Sequence, residues 1–81
     1  MQFFYVYILQ SELMPERFCI GLTEDLRARL KKHNAGEVPY TSKFRPWKIK
    51  TAVDFKERER AAQFEIYLKS ASGRAFAKKR L

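Results

Sequence analysis

Cysteine, histidine, glycine and proline are all scarce in this chain of 81 residues. The single cysteine, Cys19, excludes an internal disulfide, and with one histidine the chain has no Cys/His zinc cluster. No glycine-rich phosphate loop and no serine nucleophile elbow is present, which excludes the enzyme classes built on them. The apolar run Phe3–Leu9 is too short to span a bilayer and has no basic leader before it. We therefore expect a cytoplasmic protein without a membrane partner or a small-molecule cofactor.

Acidic residues are also few, and they are unevenly distributed. The chain has 9 acids against 17 Lys and Arg residues, for a net charge of +8. From Leu26 to Lys50 the only acid is Glu37, and no acid follows Glu65. Basic blocks of this kind often face a polyanion, although they can also be ordinary solubilising charge. We expect a nucleic-acid partner, DNA in the first place and RNA in the second.

Three segments predict a small antiparallel sheet. Phe3–Leu9 is continuously apolar, as is typical of a central strand covered on both faces. Its period of two places Tyr7 on one face and Val6 on the other. Arg17–Gly21 follows after a short polar loop and predicts the second strand of a hairpin. Trp47–Phe55 alternates apolar and polar residues, which predicts a half-buried edge strand with a single apolar face.

The first helix is predicted between the second and third strands. Thr23 is the candidate N-cap, and Asn34 and Gly36 supply a C-terminal stop. The segment Glu37–Pro46, with its two prolines, is predicted to be a loop. Exposed aromatic side chains are expected at its end and just beyond it, at Phe44 and Trp47.

Two helices are predicted at the C-terminal end. Glu57–Ala71 has apolar residues at helical spacing, and Ser72 is the candidate cap of a last helix, Gly73–Leu81, with Phe76 facing inward. The predicted order is β-β-α-β-α-α. This is an α/β protein of the α+β type, a three-stranded antiparallel sheet flanked by helices in a single domain over residues 1–81.

Five dispersed side chains have the chemistry that phosphodiester hydrolysis requires: Tyr7, Arg29, His33, Glu65 and Lys69. The reaction needs a base for water, a cation for the charge on phosphorus and a carboxylate for a divalent metal. Arg29 and His33 lie four residues apart, so they project from one stripe of the first helix. Each also has an ordinary structural interpretation. Tyr7 can be a core aromatic, Arg29 a surface charge, His33 a helix C-terminal contact, and Glu65 with Lys69 a surface ion pair.

The order of motifs in the chain resembles the GIY-YIG nuclease superfamily. The segments that carry the resemblance are YVYIL, FCIG, TEDLRARLKKHNAG, YTSKFRPWK, FEIYLKS and SGRAFAKKRL, and together they cover nearly the whole chain. It is similar in particular to the small stand-alone bacterial members and to the N-terminal catalytic domain of the excision-repair incision endonuclease. The resemblance implies the same three-stranded fold and an endonuclease that depends on one divalent ion, Mg²⁺ or Mn²⁺.

The resemblance also implies a role for each site residue. Tyr7 stands at the first-motif tyrosine that activates water, and Arg29 at the arginine that stabilises the pentacovalent phosphate. His33 matches a position that assists proton transfer or phosphate contact, and Glu65 matches the carboxylate that binds the metal. At the second motif, Gly21 is retained but Cys19 replaces the tyrosine.

The proposed nucleic-acid contacts are basic residues and one aromatic residue spread over the first helix, the following loop and the C-terminal part: Arg27, Lys32, Tyr40, Lys43, Arg45, Lys69 and Arg74. Such contacts hold a backbone without reading its sequence, so we expect structure selectivity or weak specificity. Because the thiol of Cys19 is smaller than a phenol and a weaker hydrogen-bond donor, one alternative is a binding module with weakened or lost cleavage. A protein-interaction adaptor is a further alternative.

Overall fold

The computed structural model describes residues 2–81 as one sheet with helices on both of its faces. The elements in chain order are β1 (Phe4–Ser11), β2 (Phe18–Thr23), α1 (Leu26–Asn34), α2 (Pro39–Ser42), β3 (Trp47–Phe55), α3 (Arg58–Lys69) and α4 (Ala71–Arg80). The strand order is β2-β1-β3, and β1 pairs antiparallel with both neighbours. The predicted fold class and the hairpin are therefore confirmed, as is the edge position of β3.

The central strand β1 contributes to a separate apolar cluster on each face of the sheet. Val6 and Ile8 pack with Ala61 and Leu68 of α3. On the opposite face Tyr7 belongs to the second cluster, which also includes Leu9 and Trp47 and is covered by the α1 leucines. The alternation predicted for β1 is confirmed. Only the second cluster contains aromatic side chains with polar atoms, those of Tyr7 and Trp47.

Strand β3 contains an irregularity that the sequence pattern does not reveal. Its register with β1 shifts between Ile8 and Leu9, which leaves Lys50 as an extra residue. Trp47, before this bulge, packs with Leu9, whereas Phe55, after it, packs on the cluster of Ile8. The prediction of one uniform apolar face along β3 is therefore wrong, because the bulge moves the alternation from one face to the other.

Helix α1 begins two residues later than predicted. Thr23 is still part of β2, and its hydroxyl accepts the backbone N–H of Asp25 at 3.1 Å. The carboxylate of Asp25 is the actual N-cap and accepts the N–H of Ala28 at 3.0 Å. At the other end Gly36 adopts a φ of +79°, which confirms the predicted stop.

The predicted loop before β3 contains a one-turn helix, α2. Pro39 occupies its first turn, where the missing N–H removes no hydrogen bond. Trp47, expected to be exposed, is 3% exposed, and its indole N–H donates to the carbonyl of Thr41 at 2.9 Å. The loop prediction is wrong here because one turn of helix is too short to show a periodic pattern.

One residue, Ser70, separates the last two helices, and α4 begins two residues earlier than predicted. Ser70 caps α4 by accepting the N–H of Gly73 at 3.1 Å, so the cap is not Ser72. Ala77 packs against the core, whereas Phe76 is 38% exposed, and the predicted inward face of this helix is thus wrong by one residue. Among the helices of the described chain, none is long and apolar enough to cross a bilayer.

Candidate active site

Two buried aromatic side chains meet where β1 passes under the end of α1. Tyr7 and His33 are each 3% exposed. The phenol oxygen of Tyr7 lies 3.4 Å from Nε2 of His33, and the rings meet edge to face with centroids 6.2 Å apart. The structure therefore brings together two of the residues that sequence analysis selected, in a geometry that allows a proton to pass between them.

The second ring nitrogen of His33 also has a partner inside the protein. Nδ1 lies 2.8 Å from the hydroxyl oxygen of Thr41, which is 2% exposed. That hydroxyl in turn donates to the carbonyl of Val38 at 3.3 Å. A hydrogen-bonded chain thus runs from β1 through α1 to α2. Sequence analysis missed Thr41 because it treated α2 as loop, where a threonine is unremarkable.

The side chain of Tyr7 packs over strand β2. Gly21 is paired directly with Tyr7, and any Cβ at Gly21 would collide with the phenol oxygen. Glycine is therefore needed at this position so that the ring can lie over β2. Cys19 is half-buried on the same face, opposite Leu9. Burial raises the pKa of the Cys19 thiol, which keeps it protonated at neutral pH.

Charged groups from two helices act on Tyr7. Burial is the main cause that raises the pKa of Tyr7 to about 12, followed by the neighbouring Cys19. The guanidinium of Arg29 on α1 lowers this pKa, and the carboxylate of Glu65 on α3 raises it. The charges of Arg29 on α1 and of Glu65 on α3 therefore both act on Tyr7 of β1.

Arg29 acts electrostatically on the buried pair and also borders an open concavity. It is half-buried, and after burial itself its positive charge is the second cause that lowers the pKa of His33. It also lines a concavity of about 350 Å³ beside the start of α1, together with Arg58 and Asp25. Neither Tyr7 nor His33 lines that concavity. Arg29 is thus the member of the set whose charge acts on the buried pair and whose side chain also lines an open concavity.

Glu65 makes the ion pair that its spacing suggested. Its carboxylate lies 3.1 Å from the ammonium of Lys69, with side chains 21% and 55% exposed respectively. Exposed pairs of this kind contribute little to stability, so the pair can open when a stronger ligand arrives. Lys69 also acts on Cys19, whose pKa it lowers, and this places the pair at the border of the same site.

The sequence comparison identifies the family to which this arrangement belongs. A family model, the GIY-YIG catalytic domain, matches residues 3–80. The chain belongs to the GIY-YIG family. The resemblance found in the motifs is thereby confirmed.

This GIY-YIG chain is similar to segments of larger proteins. The structure-specific endonuclease subunit SLX1 of Scheffersomyces stipitis is 44% identical over 70 residues, which are 78% of this chain and 21% of that protein. The protein of the same name from Meyerozyma guilliermondii is 45% identical over 71 residues, or 79% of this chain and 24% of that protein. The chain thus spans less than a quarter of the length of these curated relatives.

A solved structure shares the fold. The UPF0213 protein BH0048 of Bacillus halodurans, determined by solution NMR, superposes with a TM-score of 0.56 at 30% sequence identity. The match covers 94% of this chain and 80% of that one. The sheet and helices described above are therefore found in another protein of similar size.

The donor set of this GIY-YIG domain would suit some metal ions better than others. Within residues 2–81 no three His, Cys, Asp or Glu side chains form a group that could bind a metal ion. The lone, partly exposed carboxylate of Glu65 does not fit zinc, which takes several protein ligands. It fits Mg²⁺ or Mn²⁺, since such ions take one or two carboxylates and complete their shell with water and phosphate oxygens.

The expected nucleic-acid contacts lie on more than one side of the domain. Arg27 and Lys32 are exposed on α1, and Tyr40 on α2 is 70% exposed. Lys43 and Arg45 follow α2 and are also exposed. These five residues, which we call the α1–α2 surface, lie on the Tyr7 side of the sheet.

The two remaining expected contacts lie apart from the α1–α2 surface. Lys69 ends α3 beside Glu65, and Arg74 belongs to α4 on the opposite face. Arg74 donates to the carbonyl of Lys69 at 3.4 Å, so these two form a separate group.

Proposed function

We propose that this GIY-YIG domain is a divalent-metal-dependent endonuclease that hydrolyses phosphodiester bonds in DNA. Family membership and the two relatives named as structure-specific endonuclease subunits support the proposal. The observation that carries it is the contact between Tyr7 and His33. The charge of Arg29 acts on both of these side chains, and the charge of Glu65 acts on Tyr7.

Tyr7 and His33 form the water-activating pair. Because its pKa is raised to about 12, the phenol of Tyr7 keeps its proton at neutral pH and cannot act alone as a base. His33 is neutral, since burial lowers its pKa, and its Nε2 lies next to the phenol oxygen. Tyr7 takes a proton from the attacking water as its own proton passes to His33.

Arg29 stabilises the charge that develops on phosphorus. A guanidinium is always protonated and offers two parallel N–H donors to phosphate oxygens. In this domain it stands next to the Tyr7–His33 pair and faces an open concavity. Binding of a phosphate there would also offset the depression that Arg29 exerts on the pKa of His33, which makes His33 a better proton acceptor in the complex.

Glu65 would hold the divalent ion, with Lys69 released from its ion pair. The ion, Mg²⁺ or Mn²⁺, supplies Lewis-acid stabilisation of phosphate oxygens when bound. The carboxylate belongs to α3, which packs on β1 and β2, so it is held by a rigid element. The guanidinium of Arg29 and an ion held by Glu65 would together offset the negative charge of the scissile phosphate.

The substrate is expected to be selected by structure and not by sequence. Exposed Lys and Arg residues contact phosphates, which fixes orientation but carries no base information. Tyr40 adds an exposed aromatic ring next to Thr41, the partner of His33. A ring in that place suits an unpaired base beside the scissile phosphate, because every base can stack on it. Flapped or branched DNA is therefore the preferred class, with RNA as the second candidate.

A cleavage panel tests this function directly. End-labelled duplex, single-stranded, flapped and branched DNA are incubated with the purified domain and Mg²⁺ or Mn²⁺. Arg29→Ala should reduce cleavage by about 100- to 1,000-fold, the usual effect of losing one preorganised donor. Lys31→Ala changes an exposed cation on the same helix and serves as the matched control. Equal cleavage by wild type and Arg29→Ala would contradict the proposal.

Cys19 supports the alternative of a binding module with weak or absent cleavage. A half-buried thiol beside Leu9 is too short to reach a phosphate as a phenol can. Cys19→Tyr discriminates the two cases. A gain of cleavage in the variant would indicate a weakened site, and unchanged cleavage would show that the tyrosine is dispensable. DNA binding without cleavage by either protein would favour the binding module.

A further inference from the structure

The hydrogen bonds that join Tyr7, His33, Thr41 and Val38 can be formed with two different assignments of donor and acceptor. We infer that Thr41 is a positioning residue that fixes the tautomer of His33, with the proton on Nδ1 and the lone pair of Nε2 facing Tyr7. The inference deepens the proposed function and rests on it for its catalytic meaning. Its structural content is independent of activity.

The number of available hydrogens decides between the two tautomers. If Nδ1 carries the proton, Nδ1–H donates to Thr41, the Thr41 hydroxyl donates to Val38, and the Tyr7 hydroxyl donates to Nε2. All three hydrogens then have acceptors within the protein. If Nε2 carries the proton, the Thr41 hydroxyl must turn to Nδ1, its bond to Val38 is lost, and the Tyr7 hydrogen has no acceptor in His33. The first arrangement makes one more of these hydrogen bonds than the second.

Thr41 is held firmly enough to impose this choice. Its carbonyl accepts both the indole N–H of Trp47 at 2.9 Å and the backbone N–H of Phe44 at 3.1 Å. The side chain is 2% exposed, so its hydroxyl cannot turn to bulk water. The Val38 carbonyl also accepts the N–H of Ser42 at 3.0 Å, which fixes the last acceptor of the chain. One turn of helix thus holds the orientation of a catalytic histidine.

The fixed tautomer gives the proton transfer its direction. Water releases a proton to the oxygen of Tyr7, and the hydrogen of Tyr7 moves to Nε2 of His33. The resulting imidazolium keeps its Nδ1–H bond to Thr41, and the Thr41 hydroxyl keeps donating to the carbonyl of Val38. No hydroxyl has to rotate during the step. With the opposite tautomer Nε2 would already carry a hydrogen and could not accept one.

The tautomer can be measured without ambiguity because His33 is the only histidine. Long-range proton–nitrogen correlation NMR of the ¹⁵N-labelled protein distinguishes a protonated Nδ1 from a protonated Nε2. We expect the Nδ1–H form in wild type, although imidazole side chains in water favour Nε2–H. Thr41→Val keeps the shape but removes the hydroxyl, and it should shift His33 to the Nε2–H form. Thr51→Val is the matched control, since Thr51 also donates to a carbonyl, that of Leu81, at 3.1 Å.

Kinetics provide the second readout. Thr41→Val should lower kcat at least about tenfold with little change in KM, and Thr41→Ser, which keeps the hydroxyl, should restore it. The Nε2–H form in wild type would overturn the inference even if Thr41→Val did not fold, and so would an unchanged tautomer in a folded Thr41→Val. If the wild-type protein cleaves nothing, the proposed function fails, but the NMR result still decides the role of Thr41.

Discussion

At the scale of single residues, the site combines a tyrosine and a histidine whose pKa values are shifted in opposite directions. Burial raises the pKa of Tyr7 to about 12 and lowers that of His33. Both side chains are therefore neutral at physiological pH, although they lie 3.4 Å apart in a charged surrounding. A neutral donor next to a neutral acceptor can transfer a proton once water and phosphate are in place, and it needs no buried charge before that.

The lowered pKa of His33 predicts how stability depends on pH. The unfolded chain binds a proton near pH 6.5, whereas folded His33 does so only at lower pH. Neutral His33 therefore contributes its full share to the free energy of unfolding above pH 6.5. That free energy should fall as the pH drops from 6.5 toward the lower pKa of folded His33. Urea unfolding at about pH 7.5 and about pH 5.5 should show a smaller loss of stability in His33→Gln than in wild type. An equal loss in both proteins would show that the pKa of His33 is not lowered by folding.

Tyr40 predicts a preference for unpaired bases. With 70% of its surface exposed, the ring is free to stack, and loss of one stacked base is worth about 1–3 kcal/mol. Tyr40→Ala should therefore reduce cleavage of flapped DNA about 5- to 150-fold, and Tyr40→Phe should retain it. KM on flapped and fully paired DNA is the measurement. An equal effect of Tyr40→Ala on both substrates would argue against stacking.

The residues selected from the sequence were those whose chemistry is unusual in itself. A lone histidine, an arginine four residues before it and a carboxylate on a later helix could be chosen by residue type and by family motif. Thr41 and Asn34 could not, because threonine and asparagine are common and their partners are set by folding. The buried position of Trp47 was missed for the same reason, since its acceptor lies on an element that was predicted to be a loop.

At the scale of elements, the end of α1 is fastened to the start of β3 by one side chain. The amide of Asn34 donates to the carbonyl of Trp47 at 3.0 Å and accepts the N–H of the same residue. Asn34 thus imitates a strand partner for the first residue of β3. This contact helps to fix the distance between α1 and the sheet. Because His33 is the neighbouring residue, the position of its ring relative to the sheet is fixed as well.

Removing this contact should destabilise the domain. Asn34→Ala leaves two partly buried backbone groups of Trp47 without partners, which costs about 1–3 kcal/mol. Asp25→Ala, which removes the N-cap at the other end of α1, should cost about 1 kcal/mol. Urea denaturation measures both. If Asn34→Ala proved no more destabilising than Asp25→Ala, water would have to replace the lost partners of Trp47.

The elements that sequence patterns located correctly are those with several turns or several alternating residues. The three strands, α1 and α3 have such patterns, and their ends shift by only a few residues. The bulge at Lys50 was missed because it is a matter of register with β1, which a single sequence does not contain. The predicted cap of α4 was Ser72 and the observed cap is Ser70, whose hydroxyl accepts the N–H of Gly73 where that glycine packs against α3. Two nearby serines fit the same sequence pattern, so the sequence alone does not choose between them.

At the scale of the whole molecule, the net charge is +8, and exposed basic residues lie on both faces of the sheet. The α1–α2 surface lies beside the proposed reaction centre, whereas the basic residues of α4 lie on the far face with the cluster of Val6. Counterion release makes DNA affinity fall with salt in proportion to the phosphates contacted. The two faces can therefore be compared by their effect on that dependence.

Salt dependence should identify the face that binds. The double change Lys32→Gln and Lys43→Gln should reduce the slope of log K against log salt by about 1.8 on duplex DNA, about 0.9 for each lost contact. Lys78→Gln with Lys79→Gln makes the same change in net charge on α4 and should alter the slope much less. Equal reductions by both pairs would mean that DNA contacts both faces, or that only total charge matters.

The central claim is that one carboxylate on α3 completes a reaction centre built on β1 and α1, and the most direct test is metal-dependent cleavage by Glu65→Gln. The variant removes the charge without changing the shape, and Glu59→Gln makes the same change at an exposed position of the same helix. With Mg²⁺ and flapped DNA, we predict that Glu65→Gln cleaves at least about 100-fold more slowly but still binds, while Glu59→Gln resembles wild type. Cleavage by Glu65→Gln at the rate of the wild-type protein would contradict the role proposed for Glu65.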